Sequence, residues 1–278
     1  KVRILDGQGT VSGRTAVFNQ AIALKPDGII LGGFDVNEQS AGIETAASHG
    51  ITVVGWHASP KPGPIAKKHL FTNITTDADD VASIAALSAV AHSNGKAGVV
   101  IFTDSAYSVA IAKSDAMAKV IQQCTGCTLI SVEDTPLSDT STRMSQLTTS
   151  LLQRYYGKWT YSLGINDLYF DYIGSSLISS GLPESELPRN LSAGDGSESA
   201  YARIRNHMFQ VGTVPEPLNL HGWQIVDELN RSFAGQKPSG FSTPVHLVTP
   251  ENITFDGGDR GVFDPDNHYR EAYQAIWK

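Results

Sequence analysis

Residues 12–31 read SGRTAVFNQAIALKPDGIIL, an amphipathic stretch that halts at Lys25-Pro26 and gives way to a glycine-led, β-branched run. Proline excludes helical geometry from the residue before it, so the pattern predicts a helix over 12–24 and a strand over 28–31. The same phrase recurs outward along the chain. Strands are predicted at 2–5, 28–31, 51–55, 98–102, 128–132, 160–164, 191–194, 209–213 and 245–248. Helices fall between them, at 12–24, 36–48, 77–93, 107–123, 142–156, 168–180, 197–205 and 218–234. His49-Gly50 and Asn94-Gly95 supply glycine stops. Short β-branched runs alternating with amphipathic helices are the signature of α/β architecture, a parallel sheet covered by helices.

Two interruptions divide this alternation into two lobes. After 51–56 comes the helix-poor ASPKPGPI of 58–65, then an extended FTNITT at 71–76. Near the end, 211–217 and 247–252 are extended and proline-punctuated. These segments read as three crossovers.

A chain of 278 residues, 41% hydrophobic and 18% charged, has ample core and no low-complexity tract. A net charge of −7 argues against a nucleic-acid surface, which needs clustered Lys and Arg to displace counterions. No apolar run reaches the roughly 20 residues that span a bilayer. The opening KVRILDGQGT lacks the apolar core of a signal peptide, so if the protein is exported this is its processed form. The two cysteines lie in CTGC, 124–127, a spacing that suits a redox pair, half a zinc site or a local disulfide. No second ligand pair completes a zinc site. The pair follows a helical stretch instead of opening one, where a dipole would lower the thiol pKa. A structural Cys124–Cys127 disulfide in an oxidising compartment is the expectation, with buried free thiols as the alternative.

Five short segments carry a family resemblance: ALKPDGII at 23–30, GWH at 55–57, GIND at 164–167, AGDG at 193–196 and TVPEP at 213–217. In order and spacing they resemble the periplasmic binding proteins of the ribose- and galactose-binding type, relatives of the ligand domain of lac-type repressors, over nearly the whole chain. The resemblance implies the type I fold, two Rossmann-like lobes with parallel sheets joined by three crossovers. Residues 1–74 plus 217–248 would form the N-terminal lobe and 75–212 plus 252–278 the C-terminal lobe, with crossovers near 72–76, 212–217 and 248–252. It further implies an extracytoplasmic solute-binding component of an ABC importer, monomeric, closing by a hinge on a sugar or polyol and recognised by a membrane permease. Such a protein is periplasmic or lipid-anchored outside the membrane, carries no cofactor, binds no nucleic acid and is not an enzyme.

In parallel α/β sheets ligands sit beyond the carboxyl ends of the strands. Sugars call for carboxylate acceptors, amide and amine donors, and aromatic rings against their apolar faces. The predicted strand ends supply Phe34 and Asp35, Trp56 and His57, Asn166, and Asp195, with Glu216 at the second crossover. Lys113 stands close to where the resemblance implies a ligand-binding Arg. Each candidate has a plainer role: Asp195 as a turn residue, Asn166 or Asp35 as a helix cap, Trp56 and His57 as packing, Glu216 as part of a rigid hinge. Asp167 reads as the cap of the 168–180 helix, and Trp223, Tyr269 and Trp277 as core or tail docking. Trp56-His57 stands where ribose-type relatives carry Asp-Arg, which points away from ribose itself.

One departure from the family pattern is expected to matter. Family members have a strand and helix ahead of the strand matched by 2–5, and that strand is central in their 2-1-3-4-5 order. The expectation is that a βα unit of about 30–50 residues precedes Lys1, or that something else fills the slot. Among rival functions, a carbohydrate-active enzyme lacks support from any G-x-S-x-G, H-E-x-x-H, P-loop or dinucleotide glycine pattern. A repressor would need an N-terminal helix-turn-helix. A periplasmic sugar sensor for a chemoreceptor or kinase would use the same residues as a transport protein.

Overall fold

A computed structural model describes residues 1–277, and in it helix α1 (Val11–Ala23) begins where Thr10 Oγ1 accepts from the Gly13 N–H at 3.1 Å. Then come β1 (Gly28–Gly32), α2 (Ser40–Ser48), β2 (Thr52–Trp56), β3 (Gly63–Ile65), β4 (Leu70–Ile74) and α3 (Ala78–His92). They are followed by β5 (Gly98–Thr103), α4 (Ser108–Gln123), β6 (Thr128–Asp134), α5 (Thr140–Arg154), β7 (Tyr161–Gly164) and α6 (Leu168–Ser179). The chain ends through β8 (Arg189–Ser192), α7 (Glu198–Arg205), β9 (Gln210–Thr213), α8 (Leu218–Phe233) and α9 (Tyr269–Ile276). It divides into two compact units, the first made of Lys1–Asp77, Asn219–Thr243 and the segment from Asp266 onward, the second of Ala78–Leu218 and Pro244–Pro265.

In the first unit the sheet order is β1-β2-β4-β3, parallel except for β3, which runs antiparallel to β4. Phe18, Leu31, Ile43, Val53 and Leu70 form its core. The stretch at 71–76, predicted as a crossover, mostly forms β4 and so belongs to the sheet; TVVGW beside it leaves a parallel partner's hydrogen bonds to be filled. Trp223 of α8 stacks on Trp277, with ring centroids 5.2 Å apart, and the Trp277 indole donates to Asp227 at 2.9 Å. These contacts place α9 with the first unit, whereas the sequence assigns 252–278 to the second lobe; similarly, 244–248 falls in the second unit. A β-branched run at 2–5 predicts a strand, but none forms there. Among the described residues nothing pairs with the outer edge of β1, and Val2 and Ile4 are 85% and 89% exposed. An apolar groove of about 640 Å³ separates them from β1, floored by α1 and by Leu229 and Phe233 of α8.

The second unit holds a fully parallel sheet in the order β6-β5-β7-β8-β9, the 2-1-3-4-5 pattern of the type I fold. GVVIFT in β5 is buried at every position, as a central strand covered on both faces requires. Phe102 within it packs edge-on to Trp159 and stacks with Tyr169. Ala82, Ala85, Ala86 and Ala89 leave α3 a smooth, fully buried face, which allows close packing with α4. The strand predicted at 245–248 reduces to a single bridge between Thr213 and Val248. Its neighbours Val248 and Ile253 join Tyr201 and Ile204 in a small satellite core. Past α4, Cys124 and Cys127 form a disulfide with Cα atoms 5.3 Å apart. No helix among the described residues is long and apolar enough to cross a membrane.

Candidate functional site

The first unit presents four candidates beyond two adjacent strand ends. β1 and β2 are in parallel register with Gly32 opposite Trp56, so the loops leaving them run side by side. Those loops are tied together: Gly33 N–H donates to the Trp56 carbonyl at 2.8 Å and Val36 N–H to the Ala58 carbonyl at 2.9 Å. Phe34 is half-buried and leans on the unit's core. Asp35 Oδ1 accepts from the N–H groups of Asn37 and Glu38 at 2.7 and 3.1 Å, fixing the turn into α2. Trp56 and His57 stack with centroids 3.9 Å apart and planes 12° from parallel. Buried Asn73 of β4 anchors the loop behind them. Its Oδ1 accepts from Ala58 N–H at 2.9 Å and its Nδ2 donates to the Ser59 and Lys61 carbonyls at 2.8 Å each.

The second unit brings its four candidates into one group. Lys113 projects from α4 and is only 3% exposed; its ammonium donates to the Ala193 carbonyl at 2.7 Å and pairs with Glu216 Oε1 at 3.4 Å. A buried lysine is tolerated only when paired in this way. Gly194 makes the approach possible, since a Cβ there would stand 2.8 Å from the Lys113 Nζ and the residue holds φ +111°. Two of the three ammonium donors are used, which leaves one for a ligand oxygen. Asn166 Nδ2 donates to Asp195 Oδ2, while its own Oδ1 accepts from Leu168 N–H at 2.8 Å and caps α6. Asp195 Oδ1 has no hydrogen-bond partner among the described residues and is open to a hydroxyl donor. Glu216 N–H donates to the Asp195 carbonyl at 3.4 Å, closing the group.

The sequence assigns the α6 cap to Asp167, which does stand at the N-cap position, but its side chain makes no capping bond. Asn166 supplies that bond instead, and the Asp167 side chain is buried behind the group as a support. Its carboxylate accepts from Ser192 Oγ, Gln210 Nε2 at 2.7 Å, Gly196 N–H at 2.8 Å and Thr213 Oγ1 at 3.3 Å. Burial pushes this carboxyl above its ordinary value, with the Ser192, Gln210 and Gly196 donors pulling the other way. Asp167 therefore holds the 194–197 loop and with it Asp195.

A sequence profile described as periplasmic binding protein domain matches residues 1–237. The chain belongs to this family. The periplasmic binding domain also superposes on solved structures, among them a galactofuranose binding protein at 17% identity and TM-score 0.78, covering 91% of this chain and 85% of that one. A Burkholderia graminis ABC transporter solute binding protein in complex with D-arabinose gives 17% identity and TM-score 0.76, with 88% and 83% covered. One from Agrobacterium vitis with bound allitol gives 18% identity and TM-score 0.74, again with 88% and 83% covered. No curated protein matches the chain. The family is one of binding domains, not enzymes, and extracytoplasmic location is its general character.

Two residues of this periplasmic binding domain bear on the site without any sequence signal of their own. His221, inside α8 and 1% exposed, accepts from the Trp56 indole N–H at 3.3 Å. Arg14 of α1, 3% exposed, grips Glu38 through two hydrogen bonds of 3.0 and 2.6 Å beside the Asp35 turn. A polar residue on a buried helix face is their only trace in the sequence. Within either unit, among the described residues, no three His, Cys, Asp or Glu side chains converge closely enough to hold a metal ion.

Proposed function

We propose that this chain is the solute-binding component of an ABC importer and binds a neutral sugar or polyol through strand-end residues that include Asp195. Asp195 carries the reading: Asn166 restrains one of its carboxylate oxygens while the other stays open, and Glu216, whose N–H donates to the Asp195 carbonyl, pairs with a buried ammonium that has a donor to spare. An acceptor and a donor held in one hydrogen-bonded group suit paired hydroxyls, whose O–H groups both give and receive hydrogen bonds. The stacked Trp56 and His57 add flat apolar surface for a sugar ring face. Net formal charge within the second-unit group comes from Lys113 against Asp195 and Glu216, which suits an uncharged ligand better than an anion. Relatives of this fold are described with D-arabinose and allitol bound, which supports the same ligand class here. The ligand-bound form is what a membrane permease recognises. The disulfide supports an oxidising, extracytoplasmic setting.

A thermal-shift panel of pentoses, hexoses and their alditols tests this function. A true ligand at 100 times its Kd stabilises the protein by about 2.7 kcal/mol. Stabilisation by amino acids or anions, with none by any polyhydroxylated compound, contradicts it.

A further inference from the structure

The Trp56 indole N–H, a donor only, points at His221 Nδ1, so that nitrogen must carry a lone pair. The proton of a neutral His221 then sits on Nε2, which lies 3.0 Å from Thr243 Oγ1. Thr243 Oγ1 in turn lies 2.7 Å from Thr76 Oγ1. His221, Thr243 and Thr76 are 1%, 5% and 2% exposed, so these contacts are shielded from competing water. Their far end lies where the chain leaves the first unit: the unit stops at Asp77 on one pass and at Thr243 on another. One relay thus joins an aromatic strand-end residue to two of the connecting segments.

We propose that His221 is a positioning residue, fixed as the Nε2–H tautomer, which sets the plane of Trp56 and makes that plane depend on the segments at Thr76 and Thr243. The inference rests on the proposed role of Trp56 as a ligand contact. Movement of the connecting segments on binding would be felt at the indole, and a ligand seated on the indole would bias the segments. Stacking on His57 restrains one degree of freedom of the ring, and the hydrogen bond to His221 restrains the other.

The test follows the Trp56 indole N–H resonance by NMR in ligand-free protein, assigned with Trp56→Phe, alongside affinity for the strongest stabiliser in the polyol panel. His221→Asn keeps an acceptor near Nδ1, His221→Gln keeps a donor near Nε2, and His221→Leu keeps neither. The expected pattern is a shifted, faster-exchanging indole N–H in the Leu and Gln variants and a near-native one in the Asn variant. Affinity should fall about five- to tenfold in the Leu and Gln variants, as for the loss of one hydrogen bond. Thr243→Val should also perturb the indole, because it removes the partner that holds the tautomer. An unmoved indole in folded His221→Gln and Thr243→Val overturns the proposal, as does a moved indole with unchanged affinity. If no polyol binds, the function reading fails separately, and the ligand-free NMR still decides whether the relay exists.

Discussion

Asp195 owes its orientation to two neighbours of opposite kind, an amide that donates to it and a buried carboxylate that holds its loop. Asn166 fixes Oδ2 directly, and Asp167 fixes the backbone of Gly196 and Ser197. Asp195→Asn keeps the shape but replaces a charged acceptor, and hydrogen bonds to charged groups contribute about 1.5–3 kcal/mol. Calorimetry should show sugar affinity about 10- to 100-fold weaker with the melting temperature of the ligand-free protein unchanged. Arg14 and Glu38 predict a different signature. The Arg14 guanidinium holds the Glu38 carboxyl below its ordinary value of 4.5, so the pair's stabilisation is present above that pH and is lost as pH falls through the lower folded value. Arg14→Met should cost about 1–3 kcal/mol at pH 7, and the gap from the native protein should shrink on acidification, as read by denaturant titration at several pH values. The strand-end candidates were legible because their positions follow from topology. The exchange of roles between Asn166 and Asp167 was not, since two adjacent polar residues ahead of a helix can each cap it and only the pocket formed by Ser192, Gln210 and Thr213 decides.

Element by element, periodicity was most legible where the element is buried on all sides. β5 reads as an unbroken apolar run and sits at the centre of its sheet, with Phe102 wedged between Trp159 and Tyr169. Phe102→Ala removes a completely buried ring and should destabilise the protein by about 3–5 kcal/mol in urea titration, with little effect on ligand affinity once folded. Partner-dependent elements were not legible. β3 is three residues long and exists through antiparallel pairing with β4, while 2–5 has strand composition but, among the described residues, nothing pairs with it to complete a ladder. α9 is fixed by aromatic stacking on α8, which no local pattern encodes.

On the scale of the whole molecule, the order of strand-end motifs was enough to indicate a two-unit α/β binding fold, and the family match together with the strand order of the second unit agrees. Assigning late segments to units was harder, because residues 244–265 and those after 266 alternate between units without regular strands to mark the changes. Ligand identity was the least legible property, since pentoses, hexoses and polyols call on the same side-chain types and differ in hydroxyl geometry. Each chain is proposed to bind one neutral polyhydroxylated molecule through residues that include Asp195. The decisive measurement is isothermal titration of the strongest stabiliser from a pentose, hexose and alditol panel. One site per chain is expected in the native protein, with affinity about 10- to 100-fold weaker in Asp195→Asn; binding that Asp195→Asn leaves intact, or no heat from any polyhydroxylated compound, would overturn this binding role.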